Sequence, residues 1–75
     1  MLLQDIKRKI ENEFEDTDPL FAALNRNIID KASKESKDIN EFLENILINI
    51  DKQEQPNLFI GLKNITKKTI KNIGE

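Results

Sequence analysis

The 75-residue chain has no cysteine, histidine, tryptophan or tyrosine, and only two glycines and two prolines. Without cysteine there is neither a disulfide framework nor a thiolate metal site. The core must therefore hold the fold, alone or with a partner chain. Without histidine or cysteine, acid–base and nucleophilic catalysis have little to stand on. Ser33 and Ser36 have no local base to activate them, and they sit where a loop calls for small polar residues. Lysine remains as a base in principle, but no motif suggests it. The expectation is a protein that is not an enzyme, with no catalytic residue, no cofactor and no metal. Long apolar runs are missing as well. Met1–Leu3 is all that precedes the first charged residues, too short for a signal-peptide apolar region. No later run approaches the ~20 residues of a membrane-spanning helix. Cytoplasmic residence is the expectation.

Charged residues make up 35% of the chain and hydrophobic ones 37%, which suits a helical protein with a solvated exterior. About twenty buried apolar side chains at ~1.5–3 kcal/mol each would supply a gross gain of a few tens of kcal/mol. Ordering the chain costs about as much, so stability is expected to be marginal. The net charge of −2 argues against a dedicated nucleic-acid-binding domain, which usually shows a basic surplus. The charge is uneven, however. Six acids (Asp5, Glu11, Glu13, Glu15, Asp16, Asp18) face Lys7, Arg8 and Lys9 near the start, whereas Lys63, Lys67, Lys68 and Lys71 face Glu75 alone at the end.

The densest apolar stretch is DINEFLENILINI, Asp38 to Ile50. Ile39, Phe42, Leu43, Ile46, Leu47 and Ile50 recur at steps of three and four, the spacing of one broad helical face. Asp38, with Glu41 three places on, has the pattern of a capping box. A face this wide needs partners on more than one side, so this helix is expected to be the one against which the others pack. Around it lie three further helical segments. Residues 2–15 place Leu2, Leu3, Ile6, Ile10 and Phe14 on one face, with Lys7–Glu11 and Lys9–Glu13 as i,i+4 pairs; the acidic end Glu13–Asp16 opposes the helix dipole and is expected to fray. Asp18-Pro19 is a strong start signal for a second helix to about Lys34. Its core face is Leu20, Phe21, Leu24, Ile28 and Ala32, with Ile29 towards the edge. Pro56 marks a stop. Asn57 then caps a fourth helix from Leu58 to about Ile73, with Leu58, Phe59, Leu62, Ile65, Ile70 and Ile73 inward, Thr66 and Thr69 among them, and Gly74 at its end. Gly61 inside this helix suggests close approach of a neighbour or a bend. Four helices with short loops predict an all-α, antiparallel up-down-up-down four-helix bundle, one domain over residues 1–75.

Two surface features stand out. Glu11, Glu13, Glu15, Asp16 and Asp18 lack the glycine turn and ligand spacing of a calcium loop, and read as a solvated face. Lys63, Lys67 and Lys71 are spaced by four, Lys68 flanks them, and Ile60 lies near this outward side. These five residues are the candidate partner-binding surface. Lysines near a helix C-terminus also suit the dipole, so a merely solvated face is the competing explanation. No aromatic residue interleaves with the lysines for base stacking, which further disfavours nucleic acid. Ile48 lies opposite the main apolar face of its helix and marks either a second core contact or an interface.

The order of segments resembles the immunity proteins of pediocin-like (class IIa) bacteriocins, the enterocin A immunity family. LLQDIKRKIENEF is similar to that family's first helix, DPLFAALNRNIIDKAS to its second, and DINEFLENILINIDKQ and LFIGLKNITKKTIKN stand where its third and fourth would be. The likeness is one of pattern over nearly the whole chain. It implies a cytoplasmic antiparallel four-helix bundle that protects a producing cell from its own bacteriocin. The partner it implies is the bacteriocin's receptor, a mannose phosphotransferase permease in complex with the bacteriocin, engaged at the inner face of the membrane. It also implies that the C-terminal half sets recognition, which points to the same lysine-bearing helix. No nucleic acid and no small-molecule substrate are expected. The alternative is a small helical adaptor or regulator that binds another protein, in one form as a homodimer.

Overall fold

A computed structural model of the chain describes residues 2–14 and 17–74, and shows four α-helices with no strand among them. The first helix, α1, runs Leu3–Asn12 and ends earlier than its apolar spacing suggests. Glu13 and Phe14 form a turn, as carboxylates at a helix C-terminus disfavour its extension. Phe14 is still buried, and the Thr17 hydroxyl donates to the Phe14 carbonyl at 2.7 Å. Leu2, expected on the inner face, sits before the helix in extended conformation and is largely exposed. Glu15, Asp16 and the chain ends Met1 and Glu75 lie outside the described residues.

Pro19–Glu35 forms α2. Asp18 Oδ1 accepts the Leu20 N–H at 2.8 Å, and Pro19 at the first helical position loses no intrahelical bond. The inner face differs from the expected one. Asn25, Ile28, Ile29 and Ala32 are buried, Leu24 is half-buried, and Leu20 and Phe21 are exposed. Burial on α2 starts at Asn25, so its opening turns stand beyond the core. Ile29 turns inward because α2 packs against two helices, α1 and the third helix, α3, which runs Ile39–Asp51.

The capping pattern before α3 forms as expected on one side: Asp38 Oδ1 accepts the Glu41 N–H at 2.8 Å. Phe42, Leu43, Ile46 and Ile50 are fully buried and make up half of the eight largest such side chains among the described residues. α3 also touches α1, α2 and the last helix, α4, Ile60–Gly74. It is the central element, as its wide apolar face implies. Ser36 locks the α2–α3 junction. Its hydroxyl donates to the Ala32 carbonyl and accepts from Asn45 Nδ2 at 2.9 Å. Gln53 Nε2 donates to the Asn49 carbonyl at 3.1 Å and satisfies one of the unpaired carbonyls at the α3 end.

Pro56 both stops and starts a helix. A 3₁₀ turn spans Pro56–Phe59 and runs directly into α4, with no side-chain cap before it. Asn57 is therefore inside the turn and is not the cap. Leu58 is exposed, whereas Phe59 is buried. On α4, Leu62 and Thr66 are fully buried and Ile65 packs against the core, but Ile70 and Ile73 are more than a third exposed. Burial on this helix fades past Thr66, whose hydroxyl is satisfied by the Leu62 carbonyl at 2.7 Å.

The expected Lys7–Glu11 pair is replaced by ties between helices: Lys7 Nζ lies 3.0 Å from Asp30 and Arg26 Nε lies 3.7 Å from Glu11. Lys9–Glu13 is not an ion pair in this structure. Exposed pairs contribute about 0–1 kcal/mol each, so packing decides the fold. Among the described residues the apolar core counts twelve buried side chains, with Leu3, Leu24, Ile39 and Ile65 packed against it. That is smaller than the expected twenty. The radius of gyration, 11.4 Å, matches the ~11 Å of a compact domain of this length.

Candidate functional site

The lysine-bearing helix α4 carries no acidic residue, and its inner side is set by Leu62, Thr66 and Ile65. On a helix, steps of three and four from Ile60 to Lys63, Lys67 and Lys71 keep these residues on one side. Ile60 is 52% exposed, Lys67 and Lys71 are exposed, and Lys63 is half-buried. None of them takes part in either ion pair found among the described residues. These four residues share an outer stripe with one apolar spot at its start.

Lys68 is set apart from that stripe. It lines a groove of ≈ 570 Å³ between α1 and α4, together with Ile6, Lys9 and Ile10 of α1, Glu13 in the turn after it, Ile39 of α3, and Ile73. Thr69 also lines it, but its hydroxyl is taken by the Ile65 carbonyl at 2.8 Å. The candidate surface therefore splits in two, an outer basic stripe and a groove with an apolar lining and charged residues around it. Sequence reasoning missed the groove because it joins helices at opposite ends of the chain. The only local signal was apolar spacing on α4 that continues to Ile73, past the point where cover ends.

Ile48 on α3 is 48% exposed. It is not among the residues that form the core or pack against it. Glu44 and Asp51 beside it on that outer side are exposed, and Glu41 is half-buried. A further shallow groove of ≈ 430 Å³ is lined by Leu24, Leu58, Phe59 and residues 52–55.

Two buried polar side chains escaped the sequence analysis. Asn49 donates to the Asn45 carbonyl at 2.8 Å, but Asn25, only 4% exposed, leaves its Oδ1 without a hydrogen-bond partner. Asn25 lies one turn before Ile28 and Ile29, in register with the core face, where apolar periodicity predicts a hydrophobic residue. Among the described residues no acidic cluster is arranged to hold a metal ion, and no helix is long and apolar enough to cross a membrane. The arrangement offers surfaces for contact: a basic stripe, an acidic stripe and an apolar groove. Comparison with known proteins adds nothing to this picture, since no family model, no curated protein and no solved structure matches the chain.

Proposed function

We propose that this chain acts by binding another protein, as a bacteriocin immunity protein of the enterocin A immunity type, and that the outer side of α4 is the docking surface. The observation that carries the proposal is the stripe Ile60, Lys63, Lys67 and Lys71, charged with one sign only and outside the ion pairs of the described residues. Lysines in such a stripe attract acidic protein or headgroup surfaces and speed encounter more than they tighten the final complex. Ile60 supplies an apolar anchor. In this proposal the partner is the receptor permease holding its bacteriocin, met from the inner face of the membrane, with Lys68 contributing from the adjoining groove. The segment order and its likeness to the immunity family support this, as does the location of the stripe in the C-terminal half.

The proposal includes an antiparallel up-down-up-down arrangement. Two features support it. The connections at 36–38 and 52–55 are short, which favours antiparallel neighbours. Moving four residues forward on α1, from Lys7 to Glu11, moves four back on α2, from Asp30 to Arg26.

Expression in strains sensitive to class IIa bacteriocins tests the function. Survival against at least one such bacteriocin is expected, and it should fall when Lys63, Lys67 and Lys71 are reversed to Glu while circular dichroism shows the helices intact. Unchanged killing by every related bacteriocin would refute the immunity proposal. A neighbouring gene for a small cationic peptide with a double-glycine leader is the corresponding genomic expectation.

A further inference from the structure

The two helices that follow the central junction divide the charge between them. From Asp38 to Asp51 there are four carboxylates, Asp38, Glu41, Glu44 and Asp51, and no lysine or arginine; from Ile60 to Gly74 there are four lysines and no carboxylate. On α3, Phe42, Leu43, Ile46 and Ile50 define the core side. Glu41, Glu44, Ile48 and Asp51, at steps of three and four, occupy the opposite side. On α4, Ile60, Lys63, Lys67 and Lys71 do the same. Each stripe therefore has three charges of one sign and one isoleucine about half exposed, 48% at Ile48 and 52% at Ile60.

Local helix electrostatics accounts for part of this only. Asp38 and Glu41 suit the N-terminus of α3, and Lys71 the C-terminal part of α4. Asp51 closes α3, where a carboxylate opposes the dipole and no basic residue in the last turn offsets it. None of the six charged stripe residues enters either ion pair of the described residues. Since α3 and α4 pack against one another, the two stripes belong to adjoining helices.

From this complementarity we infer that α3 and α4 form the contact face for a second copy of the same chain. The acidic stripe of one copy lies on the basic stripe of the other. A two-fold axis along the α3–α4 seam sets α3 of each copy over α4 of its partner, so the contact closes as a symmetric pair, the commonest form of homo-oligomer. Ile48 and Ile60 provide the apolar centres and the charges provide the register. Because the contact uses Lys67 and its neighbours, pairing and the docking proposed above compete for one surface. Pairing is nonetheless a property of the purified chain alone and stands or falls independently of any immunity role.

Sedimentation velocity on the purified full chain, from about 10 µM to 1 mM, tests the inference. The Debye length falls from about 10 Å at 0.1 M salt to about 3 Å at 1 M, so the dimer formed at about 50 mM salt should weaken at least tenfold at about 500 mM. The triple variant Lys63→Glu, Lys67→Glu, Lys71→Glu and the triple variant Glu41→Lys, Glu44→Lys, Asp51→Lys should each be monomeric, because each places like charges across the contact. Mixed in equal amounts they should form a heterodimer, since every contact between them is again complementary. Ile48→Ser, a change on the outside of α3, should weaken pairing at unchanged helicity and serves if a charge variant fails to fold. A wild-type chain that stays monomeric at 1 mM in low salt overturns the inference. So does salt-insensitive pairing, or a folded mixture of the two charge variants that does not associate.

Discussion

Gly61→Ala puts the packing around α4 to a direct test. Glycine in a helix costs roughly 1 kcal/mol relative to alanine, through the freedom it loses on folding. Such a cost persists in a sequence when a neighbouring helix leaves no room for a methyl group. Here there is room. A methyl added at Gly61 would find Phe14 Cε1 at 3.7 Å, an ordinary contact distance, as its nearest atom outside its own helix backbone, and the backbone has no positive φ. The site is exposed, so little apolar burial is added and the gain is the conformational one, about 0.5–1 kcal/mol. With an unfolding entropy of about 2.1 cal/mol/K per residue, near 160 cal/mol/K in total, that is a rise in Tm of about 3–6 °C. Thermal melts followed by circular dichroism at 222 nm measure it, with urea unfolding as an independent check. A fall in Tm would mean that the Phe14 ring sits closer to α4 than 3.7 Å. The same substitution in a Phe14→Leu background would then recover stability, whereas failure to recover would place the cause in the α4 backbone.

Two further changes probe the core. Ile46→Ala on the central helix removes a side chain with no exposure and should cost about 2–5 kcal/mol. A chain of this length has about 4–11 kcal/mol in all, so a markedly lower urea midpoint, or outright unfolding, is expected; a loss below 1 kcal/mol would show that α3 is not the centre of the core. Asn25→Leu replaces a buried acceptor lacking a partner with an apolar group of similar size. It should stabilise the fold by about 1 kcal/mol in the same assay, and destabilisation would show that Asn25 makes a bond with water or a partner.

The central role of α3 was legible in the sequence because its signal is local and redundant. Six apolar residues at helical spacing and an Asp38 cap agree with one another, and consistent local choices make a segment predictable. Asp18-Pro19 worked for the same reason. The errors fall where burial depends on what stands opposite. Leu20, Phe21, Ile70 and Ile73 have the right spacing for a core face, yet the opening of α2 and the last turns of α4 are covered only in part. Ile29 was placed at an edge because a single-face projection does not anticipate a helix wedged between two others. The candidate stripe was legible apart from Lys68, whose place in a groove depends on where α1 lies.

Helix identity, the caps at Asp18 and Asp38, and the division of charge between an α3 without lysine and an α4 without carboxylate were determined by the sequence alone, since each rests on contacts or charges within a few residues. Only the tertiary structure decided which apolar side chains are hidden, that Lys7 and Glu11 reach across to Asp30 and Arg26 and not to one another, that Asn25 is buried without a partner, and that α1 and α4 enclose a groove. Periodicity determines which residues share a face of a helix. It does not determine how far along that face a neighbour extends, and the neighbour's extent is what keeps water from one end of α4 and admits it at the other.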